Sequence, residues 1–216
     1  MAAVPMKAEY GPTLGQLLAP RWRAMSRRTR WALAAVPALI VLVAVALALT
    51  LENASFSGGG RVPFSFSYRG LYRVAPQDGE YVRLERRAAD GFTDDSFAVR
   101  PLHLPPYSGL LSGELPLYAA VYIRSLKARY ADFKLRGEGK SNLDVEGAYD
   151  IYFTTRVDGR GEFGRVVLYM PAHERVREGV AIVMLTTQVP RYPLTAPPEV
   201  AATGLLERPL RSFSFG

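Results

Sequence analysis

The sequence predicts an α+β fold. An N-terminal transmembrane helix leads into a domain with an antiparallel β-sheet packed against one long helix and a short C-terminal helix. Three observations predict it. Residues 31–51 are 21 consecutive positions without a charge. From Val62 onward, short runs with two-residue alternation recur between turn residues. One stretch among them changes to a spacing of three to four residues. Strands joined mainly by hairpins around a single long helix belong to the α+β class.

The first element is a basic arm, residues 1–30. It carries Lys7, Arg21, Arg23, Arg27, Arg28 and Arg30 against one acid, Glu9, which leaves 21 basic and 19 acidic residues for the rest. The net charge of +7 is therefore mostly local, and no nucleic-acid partner is expected from it. Basic residues beside an apolar run face anionic lipid. Residues 31–51 would span about 31 Å as a helix, close to the hydrocarbon thickness of a bilayer. Pro37 falls in its first turns, which membrane helices tolerate. The arginines place the arm in the cytoplasm and the C-terminal part outside, as a single-pass protein of the cell membrane. Trp22, Arg27, Arg28, Arg30 and Trp31 form the expected membrane interface, both tryptophans of the chain lying there. Upstream, Leu14, Leu17, Leu18, Trp22 and Met25 fit either a short interfacial helix or an unstructured tail. Ala46-Leu47-Ala48 resembles a cleavage site, but the leader and apolar core exceed those of a signal peptide, so a retained anchor fits better.

Residues 52–61, including "ENASFSGGG", read as a flexible tether. The domain then runs from 62 to 216. Phe64, Phe66 and Tyr68 alternate with Ser65 and Ser67, the period of a half-buried strand. "YVRLERR" and "DSFAVRPLHL" give two more strands, with a turn at Asp90-Gly91. In residues 114–131, Leu115, Ala119, Tyr122, Leu126 and Tyr130 form one stripe, while Arg124, Lys127 and Arg129 lie off it. This is an amphipathic helix, with Ser112 as its cap and Pro116 in its first turn. Strands follow at 133–138, 148–157, 162–170 and 180–187, with the hairpin dipeptide Asp158-Gly159 between the second and third. A Pro-rich link, a short helix near 199–206 and a strand at 210–215 complete the chain.

The hairpin centred on "VDGRGEFGR" and the ending "LLERPLRSFSF" resemble the PsbP-like fold, over residues 62–216. That resemblance implies an N-terminal β-hairpin region, a central helix on an antiparallel sheet, and an extracytoplasmic binding or assembly domain. It brings no catalytic residues with it.

The chemistry points the same way. There is no cysteine, which removes disulfides, thiolate nucleophiles and cysteine metal sites. Arginine outnumbers lysine 23 to 4, the bias of a GC-rich genome such as an actinobacterium's. "GEGKS" at 137–141 is read as a turn: the position where a phosphate loop needs its first glycine is Lys134, and strand-forming residues follow instead of a helix. The two histidines, His103 and His173, cannot make a three-histidine metal site, and no cofactor is expected. Asp94, Asp95, Asp144, Glu146, Asp150 and Glu162 leave a two-carboxylate hydrolase as an alternative. The apolar loop 101–113, with His103, Tyr107 and Leu110, either packs as a lid on the core, which its composition favours, or serves as a partner surface. The expected function is a membrane-anchored binding or scaffold module, an accessory or assembly factor of an envelope complex. Its partners would be the lipid bilayer and an envelope protein. Beside the hydrolase, a receptor signalling through the short arm is a further alternative.

Overall fold

The computed structural model describes residues 26, 36, 39–43, 54–59, 61–77, 79–106, 110–141, 147–171, 177–187 and 196–216. The chain forms two compact units, 1–52 and 53–216. In the first, Val36 and residues 39–43 are helical, and their apolar side chains are exposed. Most of the 31–51 span lies outside the described residues, as do Trp22, Arg27, Arg28, Arg30 and Trp31. Among the described residues no helix is long and apolar enough to cross a membrane.

The second unit is α+β, with ten strands and one long helix among its described residues. A seven-stranded antiparallel sheet has the order β3-β4-β5-β9-β8-β7-β6. Its strands are β3 (Tyr72–Val74), β4 (Val82–Arg87), β5 (Thr93–His103), β6 (Ala131–Lys140), β7 (Ala148–Val157), β8 (Arg160–Tyr169) and β9 (Glu178–Thr187). A second, three-stranded sheet consists of β1 (Ala54–Gly58), β2 (Phe64–Tyr68) and β10 (Ser214–Phe215), in the order β1-β2-β10. Helix α1 (Leu111–Arg129) and the short α2 (Glu207–Arg211) complete the regular elements, with a 3-10 turn at Pro197–Glu199.

Because side chains alternate along a strand, the central strands are apolar on both faces. On one face Val180, Ile182 and Met184 of β9 and Val167 of β8 meet Phe64, Phe66 and Phe213 from the small sheet and its C-terminal neighbour. On the other, Ala181, Val183 and Leu185 of β9 with Val166 and Leu168 of β8 meet Leu115, Ala119 and Leu126 of α1. The result is three layers: helix, large sheet, small sheet. The β7–β8 hairpin turns through Asp158 (φ 48) and Gly159 (φ 81), the left-handed pair that a type I′ turn requires.

Several expectations need correction. The segment read as a tether is, over Ala54–Gly58, strand β1, paired to β2 in register from Ala54–Tyr68 to Gly58–Phe64. Its serines and glycines suit a linker by composition, but β2 supplies the ladder. "GEGKS" is not a turn: Gly137–Lys140 is the second half of β6, paired with Tyr152, Ile151, Asp150 and Tyr149 of β7. Glycine has poor strand propensity, which this pairing overrides. Helix α1 starts at Leu111 with Leu110 as an uncapped N-cap, so Ser112 lies inside it and Pro116 in its second turn. The C-terminal helix is Glu207–Arg211 rather than 199–206, since Ala201 (φ 60) and Gly204 (φ 85) interrupt the earlier segment. Leu210 belongs to that helix, and the last strand shortens to Ser214–Phe215.

Candidate functional site

Three exposed places bear on binding: the end of β5, the start of α1 and the outer face of α1. His103 ends β5 opposite Glu178, the first residue of β9. Its Nδ1 is 3.8 Å from Glu178 Oε1, to which Arg61 Nη1 donates at 3.0 Å. The Arg61 and His103 side chains are largely exposed, so these contacts add little stability. Leu110, at the helix start, is 73% exposed, and Tyr107 lies outside the described residues. From Leu110 an exposed arc continues along α1 through Leu117 (62% exposed), Ala120, Val121 (50%), Arg124, Lys127 and Ala128. The three-to-four spacing that buries Leu115, Ala119 and Leu126 turns these residues outward. Under the first turn, the buried Glu114 accepts from Arg177, which also donates to the Pro105 carbonyl. Glu114 Oε2 and Arg177 Nε stay without a partner.

A second group lies on the helix side of β4 and β5. Glu80 has a fully buried side chain that accepts from Arg83 Nε at 3.0 Å, Arg83 Nη2 at 3.1 Å and Arg100 Nη2 at 2.7 Å. The Gln77 N–H also donates to it at 2.9 Å. Burial pushes the Glu80 carboxyl up, but the Arg83, Gln77 and Arg100 hydrogen bonds outweigh it and hold it below the usual range. Tyr122 of α1 is pushed up to about 12, chiefly by burial. This is a satisfied structural network.

The candidate carboxylates separate into two places. Asp150, on β7, is buried against Arg165 of β8, with Nη2 at 2.9 Å from Oδ2. Tyr152 Oη donates to the same oxygen at 2.9 Å, and Arg165 Nη1 donates to the Val200 carbonyl at 3.2 Å. Asp94, Asp95 and Glu162 gather at the other end of the sheet. Asp95 takes Arg86 Nε at 2.8 Å on one oxygen and Thr186 Oγ1 at 2.7 Å on the other. Asp94 takes Thr187 Oγ1 at 3.3 Å and lies 3.5 Å from Arg86 Nη2. Glu162 is only 6% exposed; burial first, then the charges of Asp158 and Asp95, push its carboxyl up to about 7. Asp144, Glu146 and His173 lie outside the described residues. Among the described residues no group of three or more acids or histidines could hold a metal ion.

Leu117 and Val121 fall between the positions of the buried stripe on the same helix. Their own spacing, complementary to that stripe, is the signal that reveals them. Arg83 and Glu85 alternate with Val82 and Leu84, a pattern that reads as a solvated face; nothing local shows that Glu80 and Arg100 close over it.

No protein-family model matches the chain, and no curated protein matches it in sequence. Among solved structures it is similar to the solution structure of cyanobacterial PsbP (CyanoP) from Synechocystis sp. PCC 6803, at 14% identity. The match covers 77% of this chain and 94% of that one, with a TM-score of 0.47. The likeness concerns the fold alone.

Proposed function

We propose that this protein is a membrane-anchored extracytoplasmic binding or scaffold module, serving as an accessory or assembly factor of a cell-envelope complex. Residues 31–51 anchor it, and the arginines before them keep the arm in the cytoplasm. The observation that carries the binding role is the exposed apolar run Leu110, Leu117 and Val121, on an α+β domain whose acids are mostly engaged by arginines and threonines. Soluble domains rarely leave such side chains in a row on one helix face without a partner. A photo-crosslinking residue placed at Leu110 or His103 in cells tests this. The same envelope protein should be recovered from both positions and not from Tyr72, at the opposite edge of the sheet. Equal recovery of random neighbours from all three positions contradicts the proposal.

A second reading, a membrane-tethered carboxylate hydrolase, is favoured by one observation. Asp95 is held by a cation and a hydroxyl while Glu162, two strands away, is pushed up to about 7, the asymmetry that an acid–base pair requires. Burial of Glu162 and the full engagement of Asp95 weigh against it. Release of reducing ends or peptides from envelope polymer by the wild type, abolished in Glu162→Gln, would establish it; equal release by both would remove it.

A further inference from the structure

We infer that the outer face of α1 is a docking surface for an anionic lipid bilayer. The inference rests on the binding role proposed above and divides its surface: Leu110, at the helix start, is left to the envelope protein, and Leu117 and Val121 on the body of α1 take the bilayer. Along the exposed arc the first half is apolar, with Leu117, Ala120 and Val121, and the second half carries Arg124 and Lys127. No acid lies on this arc: the one carboxylate of α1, Glu114, is buried and paired with Arg177. On the edge strand of the sheet that α1 covers, Leu135 of β6 is 42% exposed. It pairs with Phe153, which packs under the helix, so both residues belong to the helix side of the sheet. Lys140, paired with Tyr149, adds a cation to that side, and Glu138 is its one acid on the described part of β6.

On α1, apolar side chains beside arginine and lysine, without acids between them, match the interfacial zone of a membrane. There the leucines and valine enter the headgroup–acyl boundary and the cations meet phosphates. An acidic protein would satisfy the cations but would leave Leu117 and Val121 to be matched separately. A bilayer satisfies both with one surface. Electrostatic attraction of about 1 kcal/mol per basic residue near an anionic leaflet corresponds to about a fivefold gain in binding for each.

The chain has no cysteine, so a single introduced one can be labelled alone. The full chain carries a bimane at Leu117→Cys, at Val121→Cys or, as a control, at Tyr72→Cys on β3. It is placed in nanodiscs of phosphatidylcholine alone or with one part in three of phosphatidylglycerol, both containing spin-labelled lipid. The expected result is quenching at Leu117→Cys and Val121→Cys in the anionic discs, weak quenching in neutral discs and none at Tyr72→Cys. In chains that also carry Arg124→Gln and Lys127→Gln, binding of the face should fall by about twentyfold. Melting temperatures unchanged from the wild type would show that the fold is intact. Absence of quenching at both α1 positions, or equal quenching in neutral and anionic discs, overturns the inference. So would lipid-independent protection of α1 by an added acidic protein fraction. If the chain fails to enter discs at all, the anchor is wrong. The same labelled chain added to preformed vesicles of the two compositions then reads the helix face on its own.

Discussion

The two faces of the large sheet are covered in different ways. One meets the small sheet through an aromatic layer: Phe56, Phe64, Phe66, Phe97 and Phe213 lie with ring centroids 5.1–6.2 Å apart. The other is covered by a single helix. Seven strands at their usual spacing are about 29 Å wide, and a helix with its side chains covers about 10 Å. Apolar packing from α1 reaches β6 to β9 and the end of β5. Over β4 and the middle of β5 the cover is completed by Glu80, Arg83, Glu85 and Arg100. A second sheet thus closes a face with hydrophobic contact. One helix leaves a remainder that paired charges must fill, and it keeps its own outer side for other contacts.

The largest effects should come from the aromatic layer. Phe66→Ala is expected to cost about 4 kcal/mol in urea unfolding, since the residue is almost fully buried and touches five rings. On the charged side, Glu80→Gln should cost about 3 kcal/mol, because it leaves Arg100 buried without its counter-charge and Arg83 with Glu85 alone. A cost below about 1 kcal/mol would mean that water reaches those arginines and the cover is looser than drawn.

Glu162 sharpens the comparison through pH. Its folded carboxyl titrates near 7 against 4.5 when unfolded, so the folded state holds the proton more tightly. Its contribution is fully present below pH 4.5 and is lost as pH rises toward 7. Glu162→Gln should therefore stabilise the protein by up to about 3 kcal/mol at pH 8, with the gain vanishing below pH 4.5. A gain independent of pH would assign the effect to packing. Next comes Gly164→Ala, where a Cβ would lie 2.2 Å from the Phe153 ring; the ring must move, at about 2 kcal/mol. Smallest of all, Arg124→Gln with Lys127→Gln should change stability by less than about 0.5 kcal/mol, as exposed residues do.

What the sequence reveals follows the range of the interactions. Phe64 and Phe66 against Ser65 and Ser67, the Asp158-Gly159 hairpin and the Leu115–Ala119–Leu126 stripe are local patterns, and each forms as its period predicts. The small sheet was invisible because its pairing joins distant residues, as where Ser65 and Ser214 meet through their hydroxyls. Composition alone made β1 a linker and the end of β6 a turn; only a neighbouring strand turns glycine and serine into sheet. The site divides likewise. His103 and Leu110 are exposed, as a strand end and a loop beside proline suggest. That the charge of Asp95 reaches Glu162 depends on β5 and β8 flanking β9, a pairing of residues far apart in sequence.

The central claim is topology: the arm inside, the folded domain outside. Because the chain is free of cysteine, Thr13→Cys and Tyr72→Cys can be treated in intact cells with a membrane-impermeant thiol reagent. The account predicts labelling of Tyr72→Cys at once and of Thr13→Cys only after the membrane is opened. Labelling of Tyr72→Cys only after permeabilisation, or of Thr13→Cys without it, would contradict the account.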